Sequence, residues 1–201
     1  MERSPSIWQL PLTDFRNAIE ARAMPGCGAA AAVSAGLGLA LVLKGLRLSD
    51  TRAPGVPRRE LIARGDGLRD ELARLADDDI AVFENYLSAK KHSHGTPQRA
   101  GREIGEMERA IESACRVPLA IARACRDGLV LSVEALPQTA ERLQSDTLAG
   151  AKLLHAGLGA VLAGVDDNLE GLADPKERRA LEGERETLQA EADSWLSRLS
   201  A

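Results

Sequence analysis

Aromatic residues are few: two tryptophans, one tyrosine and two phenylalanines in 201 residues. β-Branched residues are scarce too, and strands favour both kinds. A sheet-based core is therefore not expected, and the interior has to be filled by Ala and Leu. Cysteine is limited to Cys27, Cys115 and Cys125, an odd number with no CxxC pairing. That excludes a disulfide framework and predicts three buried free thiols in a reducing, cytoplasmic setting. Positive charge is not in excess: the formal net charge is -4, and the basic residues alternate with acids as on solvated helix faces. No basic patch carries the aromatic interleaving of a single-strand site, so no nucleic-acid partner is expected. GxSxG, HExxH and the Lys-Ser/Thr ending of a Walker loop are all missing.

What is present points to helices. The hydrophobic share of 44% supports a folded core, and the length suits one domain over residues 1–201. Met24 to Leu43 carries no charge and is long enough to span a bilayer. It opens with Pro25, is dominated by Ala and Gly, and has no basic region ahead of it. The expectation is a helix buried on all sides, with neither a signal peptide nor a membrane span.

Periodicity and breakers lay out the chain. A short amphipathic helix is predicted over Ser6 to Ala23, then a turn at Met24-Pro25-Gly26-Cys27-Gly28. An apolar helix follows from Ala29 to Leu48, where Gly36 and Gly38 suggest close packing. The next helix runs from Arg58 to Lys90, with Leu61, Leu68, Leu72, Leu75, Val82, Phe83 and Tyr86 on one inward face. His92 to Pro97 reads as a polar loop. A helix from Gln98 turns Ile104, Met107, Ile111 and Cys115 inward, and Pro118 kinks or restarts it before it continues to Ala135. Leu136 to Gln144 is the least regular stretch. Ser145 and Asp146 are expected to cap the next helix, and Asp174-Pro175 to cap and start the last.

Asp79 stands out chemically. At about 100° per residue it falls near the centre of the apolar stripe, with Asp77 on the opposite side and Asp78 at the edge. A desolvated carboxyl gains a raised pKa suited to proton transfer. Pairing with an arginine or a helix terminus is the other reading. The turn Pro25-Gly26-Cys27-Gly28 leads into a helix whose free N–H groups could hold an anion or a ligand carbonyl, or could be an ordinary turn. Lys90 and Lys91 complement a helix dipole and would equally attract a polyanion. His92 and His94 form an HxH with no third ligand in view, and His155 reads as a packed histidine.

Taken in order, these stretches resemble the folate cyclodeaminase/cyclohydrolase family from about Phe15 to Asp174. The family's Pro-Gly-Gly-Gly-Ser turn and Ala-rich helix stand here as Pro25-Gly26-Cys27-Gly28-Ala29-Ala30-Ala31. Its Asp-x-Asp and following aromatic are similar to Asp77-Asp78-Asp79 and Phe83. Val117-Pro118-Leu119, Ser145-Asp146 and Asn168-Leu169 match further short motifs. The resemblance implies a compact all-α bundle of long helices, dimeric, with no metal or other cofactor required. It implies a tetrahydrofolate derivative as substrate and Asp79 as general acid/base. Substrate contacts would come from Pro25, Gly26, Cys27, Gly28, Ser145, Asp146 and Asn168, with Lys90 and Lys91 near an anionic glutamate tail.

Departures accompany the resemblance. Cys27 and Ala29 stand for a glycine and a serine of the turn, and His92-Ser93-His94 for a Leu-Pro-Lys. Thr139-Ala140 replaces a Gly-Asn pair, and an Asn is missing near Gly164. Cyclohydrolase action is preferred over cyclodeamination, because no formiminotransferase domain accompanies this stretch to hand over a formimino substrate. A folate-binding or scaffold relative without catalysis, and an enzyme for a different pterin or amidine, are the alternatives.

Overall fold

The computed structural model describes residues 6–92 and 100–199, and their regular elements are all helical. Six α-helices follow in order: α1 (Leu12–Ala21), α2 (Cys27–Arg52), α3 (Val56–His92), α4 (Ala100–Ala135), α5 (Gln144–Leu169) and α6 (Pro175–Ser197). The all-α expectation is met.

α2 and α5 form the central pair, because glycines let their backbones touch. A Cβ built on Gly150 would overlap the Gly38 carbonyl oxygen and lie 2.8 Å from Val42 Cγ2. α3 and α4 flank this pair, and α6 closes the side formed by α4 and α5. The fully buried leucines Leu39, Leu43, Leu72, Leu119, Leu154 and Leu158 fill the space between them. Each contributes about 1.5–3 kcal/mol relative to exposure. α2 and the Glu141–Leu169 stretch are long and apolar enough to cross a membrane, and 61% of the α2 window is buried within this bundle. The expected burial on all sides is not found for α2: Leu37 and Leu48 are 51% and 44% exposed.

Several boundaries differ from the periodicity reading, each for a local reason. Pro11 separates a short 3₁₀ turn (Ile7–Gln9) from α1 instead of lying inside one helix. Trp8 sits on that turn with its ring against Gly36, and its Nε1 donates to the Ala73 carbonyl at 3.2 Å. α4 runs through Pro118 unbroken. The proline removes the N–H that would donate to the Ala114 carbonyl. Asn168 Nδ2 of α5 donates to that oxygen instead, at 2.9 Å. α5 begins at Gln144, so neither Ser145 nor Asp146 caps it; Asp146 pairs with Lys44 at 2.8 Å. Asp174 does cap α6, accepting from the Lys176 N–H at 2.8 Å. Near the end of α6, Arg198 lies over the Trp195 ring at 4.1 Å.

Three further side chains leave their expected places. Ile104 is 59% exposed, and Phe83 is 38% exposed rather than core. Cys27 is exposed, whereas Cys115 and Cys125 are buried as expected. Burial pushes those two thiols up to about 11 and about 12. Of the predicted HxH, Ser93 and His94 lie outside the described residues, and so does the His92 side chain.

Candidate active site

Helical geometry sorts the three consecutive aspartates of α3 to three different neighbours. Asp77 Oδ1 accepts the Ile7 N–H at 3.0 Å. Asp78 pairs with Arg74 one turn back. Asp79 turns toward the start of α2, where its Oδ2 accepts the Ala29 N–H at 2.9 Å. Gly28 makes this approach possible. A Cβ there would overlap Asp79 Oδ1 and sit 2.5 Å from Cγ. Of the two sequence readings of Asp79, pairing with a helix terminus is thus observed, and the pairing takes place at the wall of a cavity.

Two opposing effects act on the Asp79 carboxyl. Burial raises its pKa, and the Ala29 N–H lowers it. Burial is the larger, so the group is held above the ordinary carboxylate range.

The cavity beside it has a volume of about 340 Å³. The start of α2 gives it Gly26, Cys27 and Gly28, and α3 gives Asp79, Phe83 and Tyr86. Pro118 of α4 and Gly164, Asp167 and Asn168 of α5 close it. Phe83 and Tyr86 lie one and two turns along α3 from Asp79, with ring centroids 6.1 Å apart at 28°. A Cβ on Gly164 would come within 2.9 Å of Cys27 Sγ, so the thiol occupies space opposite that glycine. Burial, then Asp79, raises the Cys27 pKa, while the backbone N–H groups of Gly28 and of Cys27 itself oppose the rise.

The structure unites part of the residue set expected from sequence. Asp79, Gly26, Cys27, Gly28 and Asn168 share the cavity. Pro25 is buried in the turn, after a cis Met24–Pro25 bond, and does not line it. Lys90 and Lys91 are exposed on α3 about one turn past Tyr86, roughly 6 Å along the axis. Ser145 and Asp146 are at the opposite end of α5, about 33–35 Å from Asn168 at 1.5 Å per residue. The N–H groups of the α2 terminus are less available than expected: Ala29 donates to Asp79 and Ala30 to the Gly26 carbonyl at 3.1 Å. His155 bonds Asp193 at 2.6 Å, away from the cavity. Among the described residues no three His, Cys, Asp or Glu side chains are grouped as metal ligands.

Residues 11–187 match the family described as formiminotransferase-cyclodeaminase. The chain belongs to the formiminotransferase-cyclodeaminase family. Relatives in this family include a methenyltetrahydrofolate cyclohydrolase of Methylorubrum extorquens, 29% identical over 54% of this chain and 54% of that protein. A formimidoyltransferase-cyclodeaminase of Gallus gallus is 31% identical over 74% of this chain and 28% of its own length. The matches thus span about half or less of these relatives. The crystal structure of formiminotetrahydrofolate cyclodeaminase from Thermotoga maritima superposes with a TM-score of 0.85, covering 96% of this chain and 95% of that one. At 23% identity it shows that the fold is shared.

Within this family fold, periodicity missed part of the cavity. It assigned Phe83 and Tyr86 to the core because both share the Asp79 face at i+4 and i+7. It passed over Asp167, which directly precedes the Asn168 of a recognised motif. The spacing from Asp79 was the available signal for the aromatic pair; the sequence held none for Asp167.

Proposed function

We propose that this chain is a folate-dependent one-carbon enzyme, a methenyltetrahydrofolate cyclohydrolase. The reading is carried by Asp79, a half-buried carboxyl with a raised pKa facing a cavity at the start of α2. The name of the Methylorubrum extorquens relative adds to it. The substrate's N5–CH–N10 bridge is an amidinium cation. Water adds to the bridge carbon while ionised Asp79 takes a water proton. In the tetrahedral adduct the carbon–N5 bond breaks and N5 receives a proton from Asp79. The formyl group remains on N10, and one proton is released overall. A carboxyl with a raised pKa suits both proton transfers.

The cyclodeaminase reaction makes similar demands: N10 attacks a 5-formimino carbon and ammonia leaves carrying a proton. The Gallus gallus relative's name favours keeping it as a second reading. In either case the exposed Lys90 and Lys91 are placed to attract a glutamate tail. Asn168, its Nδ2 held by Ala114, shapes the α5 wall. Ser145 and Asp146 receive no step, because they do not reach this cavity within one chain. The chemistry needs a proton carrier beside the bridge carbon, so the reading requires no metal or other cofactor. The chain would be cytoplasmic, where its free thiols remain reduced. A homodimer completes the proposal, supported by the exposed leucines Leu37 and Leu48 on α2 and Leu153 on neighbouring α5. Sedimentation tests that part, with Leu153→Glu expected to yield monomers.

The enzymatic test follows the ultraviolet absorbance of 5,10-methenyltetrahydrofolate with wild-type protein, Asp79→Asn and buffer. Loss that depends on Asp79 supports hydrolysis. Loss at the buffer rate rejects it, and ammonia release from 5-formiminotetrahydrofolate then decides the second reading.

A further inference from the structure

Asp166 and Asp167 are consecutive carboxylates near the end of α5, yet they are used differently. Arg185 of α6 grips Asp166 with two hydrogen bonds of 2.8 Å. Asp167 lines the cavity and has no ion-pair partner among the described residues. Helix stability does not explain its place, because a carboxylate in the last turns opposes the helix dipole. Nor does any Lys, Arg or His among the described residues line the cavity to neutralise it. Its field crosses the cavity: together with Asp79 it raises the pKa of the Cys27 thiol on α2.

The wall from α3 complements this charge. Phe83 and Tyr86 form a stacked pair lining the cavity in a chain with few aromatics, and Phe83 remains 38% exposed. Aromatic faces attract flat rings and cations. An aromatic wall and two carboxylates without a facing base match one ligand class, a planar ring system carrying delocalised positive charge.

We propose that Phe83, Tyr86 and Asp167 form a recognition wall for a planar delocalised cation. On the reading above, this cation is the amidinium of the closed one-carbon bridge. Phe83 and Tyr86 hold the ring by its face and Asp167 holds the charge. Hydrolysis turns the amidinium into a neutral amide, so the same wall that holds the substrate releases the product.

Fluorescence titration with proflavine, a planar cation, and acridone, a neutral ring system of similar shape, tests this without turnover. Wild-type protein is expected to bind proflavine at least tenfold more tightly than acridone. Asp167→Asn should weaken proflavine about tenfold and acridone less than twofold, whereas Phe83→Leu should weaken both alike. Both substituted positions are exposed, and melting curves confirm folding. Equal binding of the two dyes, or an Asp167→Asn effect that is absent or common to both, overturns the proposal. Competition separates it from the folate reading. Proflavine that needs Asp167 but is not displaced by 5,10-methenyltetrahydrofolate leaves the cation wall standing and removes folate. Displacement without any Asp167 dependence keeps folate and removes the wall.

Discussion

Asp79 occupies the space that Gly28 leaves by having no side chain. The carboxyl lies where a Cβ would be and takes its hydrogen bond from the next residue, Ala29. The glycine is needed here for a close approach, since its backbone is ordinary helix.

Gly28→Ala should therefore expel Asp79 from its position. Overpacking of this kind costs about 1–3 kcal/mol. The variant should melt lower and lose at least ~100-fold in turnover, given that a misplaced catalytic group commonly costs that much. Combining it with Asp79→Ala should recover much of the stability but none of the activity. Melting and rate measurements on the set check this. A fully active Gly28→Ala would show that Asp79 need not sit where it does.

Burial raises the Asp79 pKa, which fixes two pH dependences. The folded state binds this proton more tightly than the unfolded chain. Its contribution to stability is thus fully present below about pH 3.9, the unfolded value, and is lost as pH rises through the higher folded pKa. Asp79→Asn removes that loss, so its melting temperature should gain on wild type from acid toward neutral pH. On the proposed hydrolytic reading catalysis runs the other way: water addition would need ionised Asp79, so kcat/KM should rise through an apparent pKa above the usual carboxylate range. Paired melting and rate profiles test both signs.

The Pro118–Asn168 arrangement makes a double-mutant prediction. Asn168→Ala leaves the Ala114 carbonyl without its donor, at a cost of about 1–3 kcal/mol. Pro118→Ala restores the donor within α4. The second change should then rescue much of the stability lost by the first, as denaturant titration of the four proteins would show. Additive losses would mean that Asn168 is not compensating for the proline.

Glycine substitutions should separate packing from propensity. Gly150→Ala forces apart the α2–α5 crossing and should destabilise by more than ~2 kcal/mol, in the range of overpacked cores. Gly67, exposed within α3 with nothing near its added Cβ, should gain about 1 kcal/mol on becoming Ala. Thermal melts of the two variants should move in opposite directions.

These particulars mark how far the sequence could be read. Asp79 was separable from Asp77 and Asp78 because a helix face is a local property of spacing. The helix order and the Asp174 cap were legible for the same reason. Of the kink or restart expected at Pro118, no restart is found, because the freed carbonyl takes an amide from a helix distant in sequence. Phe83 and Tyr86 share a face with core leucines, and periodicity cannot distinguish a filled interface from an empty cavity. The role proposed for Asp167 depends on Arg185 pairing with its neighbour and on Asp167 having no ion-pair partner among the described residues, a choice made only by packing.

The scarcity of aromatics also makes the molecule optically sparse. Trp8 rests on the seam between α2 and α3, Trp195 lies near the end of α6, and neither lines the cavity. The two indoles are therefore separate lamps, one on the α2–α3 seam and one on α6. With Trp195 replaced by Phe, the remaining emission would follow the docking of the N-terminal turn alone, and that turn is anchored by Asp77, two residues before Asp79.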